Sequence, residues 1–243
     1  MKVKYDFHIH SCLSPCGDGE MTPANIVNMA KLLGLDAVAL TDHNTCLNCP
    51  AAVSLGKEAG VVVVPGMELC TAEEVHIVCL FGSVENALAF SDYVAGHSMK
   101  VKNKPEIFGN QIIMNEKDEV TGEYENLLIT ASNITVSTVK SRVSEFGGVC
   151  YPAHIDRDSY SVISNLGAIT REMDFDAAEI SDSGDFNALC KKFPVLDEIK
   201  ILRSSDAHNL QTLCREAQTI ELEEASVKAI LEHFGRNGSS RKN

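Results

Sequence analysis

Two histidines one residue apart, His8 and His10, close an alternating apolar stretch near the start of the chain, VKYDFHIHS. In an extended strand, residues two apart face the same way, so both imidazoles can serve one ligand. The arrangement recurs downstream. Asp42 and His43 follow the run DAVALT, Glu68 follows VVVVPGM, and His76 lies in VHIVCLF. His154 follows GGVCYPA, and Asp206 and His208 follow ILRSS. Mixed imidazole and carboxylate ligands suit zinc, manganese or iron, whereas calcium prefers oxygen alone. A lone histidine on a strand is more often packed or solvated than bound to metal, and His97 and His233 read that way. Six histidines and several acids at the ends of strand-like runs are hard to explain by packing, because buried polar groups need partners. Glu68 suits a bridge between two cations, and cations paired at about 3.5–4 Å serve the hydrolysis of phosphate esters.

The elements that must position these residues alternate along the chain. Strand-like runs cover residues 3–9, 36–41, 61–64, 75–81, 148–152, 177–180 and 199–204, with a last short one near 217–220. Helical stretches fall between them, the first announced by Thr22 as N-cap and Pro23 in the first turn. Repeated β-then-α units predict an α/β fold with a parallel sheet covered by helices. About seven such units would close a distorted (β/α)7 TIM-like barrel, with the metal site at the C-terminal rim of its strands. An open doubly wound sheet is the structural alternative. Residues 1–234 read as a single domain, 235–243 as a flexible tail, and the polar segment 96–127 as an excursion or lid carrying Lys100, Lys102 and Lys104.

With 34 acidic and 21 basic residues in 243, the formal net charge is −13, which disfavours a groove tracking a long nucleic-acid duplex. Bound cations would make a local positive site on this acidic body, favouring a small phosphorylated substrate or a short oligonucleotide. No apolar run approaches the ~20 residues of a membrane span, and no signal-peptide core follows Met1. The expectation is a cytoplasmic protein with no membrane partner. Nine cysteines, an odd number, do not suggest a disulfide framework. Cys12 and Cys16 follow the first strand, and Cys46 and Cys49 follow the second. Four thiols from neighbouring loops could hold zinc or an iron–sulfur cluster. Cys70, Cys79 and Cys150 read as core.

The ordered set DFHIHS, GDG, TDHN, PGMEL, VHIV, PAHID and SDAH resembles the PHP (polymerase and histidinol phosphatase) family over nearly the whole chain. The resemblance implies two or three divalent ions (zinc, manganese or iron). It implies one ion on His8, His10, Glu68 and Asp206, a second on Glu68, His76 and His154, and a third on Asp18, His43 and His208. The loop SCLSPCGD is longer than the family's usual HSxxSDG form, which leaves the place of Asp18 open.

The activity expected is hydrolysis of a small phosphate monoester or diester by water activated between cations, with Asp206, Glu68 and His208 as catalytic groups. Asp6 or Asp42 could fix a histidine tautomer. Arg157 and Arg203 are candidates to bind substrate phosphate. The rival readings are an amidohydrolase-type metal hydrolase, or a non-catalytic metal-binding or redox-sensing module built on the loop cysteines.

Overall fold

The computed structural model describes residues 1–213 and 218–235. Of the expected tail at 235–243, residues 236–243 lie outside the described residues, as does Ala217. The first strand, β1 (Lys2–Ile9), leads to α1 (Pro23–Leu32), which starts as its sequence predicts: the Thr22 hydroxyl accepts from Asn25 N, and Pro23 sits in the first turn. β2 (Ala37–Leu40), α2 (Cys49–Ala59) and β3 (Val62–Cys70) follow, then β4 (His76–Phe81) and α3 (Val84–His97). Beyond the segment 98–135, which holds α4 (Pro105–Phe108), β5 (Ile112–Met114) and β6 (Val120–Glu123), come α5 (Val136–Glu145) and β7 (Gly148–Pro152). The chain then forms α6 (Val162–Leu166), β8 (Ala177–Glu179), α7 (Phe186–Lys192), β9 (Lys200–Leu202), β10 (Gln218–Glu221) and α8 (Val227–Phe234).

The main sheet has six strands in the order β10-β1-β2-β3-β4-β7. β1, β2 and β3 are parallel, but β4 runs antiparallel to both β3 and β7, and β10 antiparallel to β1. The uniformly parallel sheet expected from the sequence is corrected here. Between β3 and β4 there is no crossover helix, only a tight turn in which Thr71 N donates to Val75 O at 2.9 Å and Glu74 takes a φ of 57°. A parallel return needs a dozen or more residues, so this short connection reverses the chain. The reversal has a functional consequence: His76, at the start of β4, pairs with Cys70 at the end of β3, on the rim that the other histidines reach from strand ends.

β8 and β9 form a separate parallel pair. Ile155 N donates to Glu179 O (2.9 Å) on one side, and His10 N donates to Ala207 O (3.0 Å) on the other. These links bring the pair between the two flanks of the main sheet, which curls into a half-barrel.

Alternating residues supply two apolar clusters. Val3, Tyr5, Phe7, Ala39, Val64, Val78, Leu80 and Tyr151 form one, which Ile230 and Phe234 of α8 join. Ile26, Val38, Leu40, Met67, Ile77, Cys79, Phe81 and Val139 belong to the other, shared with the helices. The pairing of β1 with β2 slips between Asp6 and Ile9, and Phe7 and Ile9 consequently end in different clusters.

The segment expected as an excursion holds a short helix, α4 (Pro105–Phe108), and a hairpin of β5 (Ile112–Met114) with β6 (Val120–Glu123). It is tied to the rim loops: Ile112 N donates to Cys12 O (3.0 Å), and Asn48 holds Ile112 O (3.1 Å) and Met114 N (2.9 Å) through its side-chain amide. Lys100, Lys102 and Lys104 are exposed.

Phe234 meets Phe7 edge-on at 5.8 Å between ring centroids and lies 6.0 Å from Tyr151, closing the inner cluster. Phe234→Ala is expected to lower stability by about 3–5 kcal/mol, read from the midpoint and slope of urea unfolding.

Candidate metal centre

Glu68 is 1% exposed and stands among five imidazoles. Its Oε1 lies 3.2 Å from His8 Nε2, 2.9 Å from His76 Nδ1 and 3.1 Å from His154 Nε2. Its Oε2 lies 3.0 Å from His43 Nδ1 and 3.4 Å from His10 Nε2. Asp206 joins from the loop after β9, with Oδ1 3.3 Å from His8 Nε2 and 3.2 Å from His10 Nε2. Residues far apart in the chain are thus brought together on one rim. Three of the residues that line or border it hold backbone conformations uncommon outside glycine: Asn44 (φ 52°), His154 (φ 28°) and Asp206 (φ 49°). Strain of this kind persists only where the surroundings over-determine it, and it gathers at functional sites. At Asn44 the side chain supplies the restraint, donating to Leu128 O (2.6 Å) and Thr130 O (2.8 Å) and accepting from Cys70 N (2.8 Å).

The outer hydrogen bonds decide which ring nitrogens face inward. His8 Nδ1 donates to Glu179 Oε1 at 2.9 Å. Ser14 Oγ donates to Asp42 Oδ1 (2.7 Å), so it accepts from His10 Nδ1 (3.0 Å) and from His43 N (3.1 Å). With Nδ1 protonated on both neutral rings, the Nε2 lone pairs of His8 and His10 point at each other across 3.3 Å and at the carboxylates of Glu68 and Asp206. Acceptors facing acceptors in a buried site repel unless something positive lies between them. Asp206 Oδ1 is buried without an aligned hydrogen bond, as that arrangement requires. The donor set therefore fits divalent cations.

Without cations, protons take their place. Burial opposes charge on His8, but the carboxylates of Glu179, Asp206 and Glu68 outweigh it and hold its pKa well above 6.5. The same contest, with Asp206 and Glu68 prevailing over burial, raises His10 to about 9. Burial would raise Glu68 and Asp206, yet the surrounding imidazoles hold both well below the usual carboxylate range. His43 and His208 go the other way: burial, then the charge on His10, lowers them to about 3 and about 4.

The structure treats the remaining sequence-derived candidates unequally. Asp42 reaches His10 through Ser14, as above. Asp6 holds main chain instead, accepting from Ser205 N (3.0 Å), and burial pushes its carboxyl up to about 6. Arg157 donates to Asp206 Oδ2 at 2.5 Å and is half exposed. The Arg203 guanidinium is engaged with the carbonyls of Ser181, Asp182 (3.0 Å) and Gly184 (2.7 Å), so it positions a loop. Asp18 is exposed, accepts from Glu20 N (2.9 Å), and belongs to none of the His/Cys/Asp/Glu groups whose ligand atoms converge among the described residues.

The four-thiol site is not assembled, because the thiols serve different neighbours. Cys46 and Cys49 turn under the sheet and donate to Gly66 O (3.1 and 3.4 Å), while Cys12 contacts Met114 Sδ at 3.4 Å. Cys16 lies with His10, His43 and His208. Sequence reasoning missed Glu179, although an acid within the strand-like run AAEI was a signal.

A match to the PHP domain model spans residues 6–165. The chain belongs to the PHP domain family. Among curated relatives, it is 29% identical over 140 residues to the 5'-3' exoribonuclease Rnm of Salmonella typhimurium, covering 56% of this chain and 45% of that protein. It is 27% identical over 176 residues to the phosphoribosyl 1,2-cyclic phosphate 1,2-diphosphodiesterase of Eggerthella lenta, covering 70% of this chain and 64% of that protein. This PHP chain thus spans less than two thirds of the length of either. Among solved structures, a lesion-specific endonuclease from Pyrococcus furiosus superimposes with a TM-score of 0.72 at 21% identity, over 96% of this chain and 56% of that one. That likeness establishes a shared fold. No helix of the described residues is long and apolar enough to cross a membrane.

Two outcomes follow from the geometry. In chelator-treated protein, the raised pKa of His10 contributes stability that is complete below 6.5 and is lost as pH rises through about 9, and His8, held well above 6.5, acts in the same direction. The melting temperature should fall across that window, while calorimetric metal affinity rises across it as the ligands shed protons. Glu179→Ala should weaken metal binding by about 10–100-fold in the same titration, since His8 loses its orienting acceptor.

Proposed function

We propose that this chain is a metal-dependent phosphoesterase acting on a small phosphate monoester or diester, including a nucleotide or an oligonucleotide end. The carrying observation is the convergence of five imidazoles and the Asp206 carboxylate on buried Glu68, with the inner nitrogens of His8 and His10 turned toward both acids, a donor set that suits cations. His8, His10, Glu68 and Asp206 would hold one ion, and Glu68, His76 and His154 a second, with Glu68 bridging. His43 and His208 would contribute to a third. Zinc, manganese and iron all suit such donors. When bound, these cations supply Lewis acidity toward phosphate oxygens and lower the pKa of water.

The chain's own groups set the rest. Asp206 presents one oxygen to the centre and gives the other to Arg157, which holds the carboxylate in place. Arg157 also lines a cavity of about 430 Å3 beside the cluster, together with His154, Asp206, Ser181 and Ser204. A cavity of that volume is within the usual range for small-molecule sites, about 300–1,000 Å3. Arg157 is the cation placed to meet a substrate phosphate there. Asp156, Asp158 and Asp182 on the same walls would repel a long polyanion, while the serine hydroxyls suit a hydroxylated leaving group. His8 and His10, held by Glu179 and Ser14, keep their inward nitrogens unprotonated once cations enter.

Protein stripped with chelator and reloaded with manganese or zinc should hydrolyse aryl phosphate monoesters or diesters only in the reloaded form. Asp206→Asn should fold normally yet lose nearly all turnover; full activity in that variant, or in the stripped protein, would defeat the proposal. Arg157→Ala should raise KM by about tenfold, the worth of one charge-assisted hydrogen bond, with a smaller change in kcat.

A further inference from the structure

Cys16 stands where no thiol was expected to matter alone. Its Sγ and ligand atoms of His10, His43 and His208 all lie within 4.8 Å of one another. The rings around it have nitrogens to offer. His208 Nδ1 donates to Asp206 O at 2.8 Å, which leaves Nε2 as a lone pair. His43 is 5% exposed, and its Nδ1, though 3.0 Å from Glu68 Oε2, makes no aligned hydrogen bond. His10 turns its Nε2 toward Asp206 and Glu68, so it borders this group while belonging to the other centre.

We propose that Cys16 is a thiolate ligand of a third metal position, shared with His43 and His208, and that this position takes zinc in preference to manganese. The inference rests on the metal-centre reading above and adds the identity of one ligand. The loop is built to deliver this side chain. Ser14 N donates to Ser11 O (3.1 Å), Gly17 N to Ser14 O (2.8 Å) and Asp18 N to His208 O (2.8 Å), so successive turns pin residue 16 beside His208. Gly17 cannot be replaced without disturbing this path, because a Cβ there would lie 2.3 Å from Ser11 O. Asp18, two residues on, keeps its carboxylate in its own turn, on Glu20 N. Cys16 thereby occupies the role that a carboxylate would otherwise fill.

The chemistry balances simply. The thiol proton passes to water as sulfur binds the cation, with no change in oxidation state. One sulfur and two imidazoles make a softer donor set than two imidazoles and a carboxylate. Such a set favours zinc over manganese, which prefers oxygen.

The test is spectroscopic and stoichiometric. Chelator-treated wild-type protein, Cys16→Ser and Cys16→Asp would be reloaded with cobalt(II), with zinc and with manganese, and metal content measured per chain. Wild type should show a thiolate-to-cobalt charge-transfer band in the near ultraviolet, and both variants should lack it. Cys16→Ser should hold one zinc fewer per chain, and Cys16→Asp should regain the missing ion with manganese. Zinc should also slow alkylation of exposed Cys16 by iodoacetamide, followed by peptide mass spectrometry, with half-buried Cys190 as the internal reference. A Cys16→Ser protein with the full zinc complement and an undiminished cobalt band would overturn the inference. So would Cys16 alkylation at one rate with and without zinc. In either case metal-dependent turnover in wild type would leave the phosphoesterase reading standing, whereas a wild-type chain that bound no cobalt would remove both.

Discussion

A carboxylate buried among imidazoles organises this molecule. Moving an ionised carboxylate out of water costs several kcal/mol even after relaxation. Glu68 is nearly inaccessible, and the groups that answer its charge are the five imidazoles that close on it. The five rings come from four pieces of chain: His8 in β1 with His10 just beyond its end, one from the loop after β2, one from the start of β4 and one from the loop after β7. The sheet must therefore be curved enough, and its strand ends aligned enough, for all five to converge.

The convergence is enforced from outside the cluster. Glu179 and Ser14 fix the rings of His8 and His10 by their outer nitrogens, and Asp42 fixes Ser14. Asp6 holds the backbone just before Asp206, and the Arg203 fork holds the loop that follows β8. None of these groups needs to touch a substrate. Their common effect is to remove alternatives: each inner nitrogen has one protonation state and one direction compatible with a cation. The unusual backbone at Asn44, His154 and Asp206 fits the same logic, since the conformations are held by surroundings that the cluster requires.

The segment between α3 and α5 takes part as well. Its hairpin is clamped by Asn48 and by the backbone of Cys12, both on loops that carry the site. Gly109 approaches Pro15 so closely that a Cβ would collide with its carbonyl oxygen. What reads in sequence as a polar interruption thus braces the loop that presents Cys16, and its role is positional at least at that end.

Much was legible from residue type and spacing alone. His8 and His10 at i, i+2, the histidines and acids after apolar runs, the Thr22-Pro23 helix start and the apolar strands are local patterns, and local patterns survive folding because they follow from backbone geometry. What tertiary structure alone decided was direction and partnership. A five-residue turn reversed β4, and sequence periodicity carries no sign of strand direction. Glu179 became the partner of His8, and Cys16 the neighbour of His43 and His208, because of distances across the fold, which no spacing along the chain encodes. Asp18 belongs to none of the converging groups among the described residues, and its carboxylate accepts from Glu20 N within its own turn. Residue types were written in the sequence, and their assembly into one buried cluster was settled by the curl of the sheet.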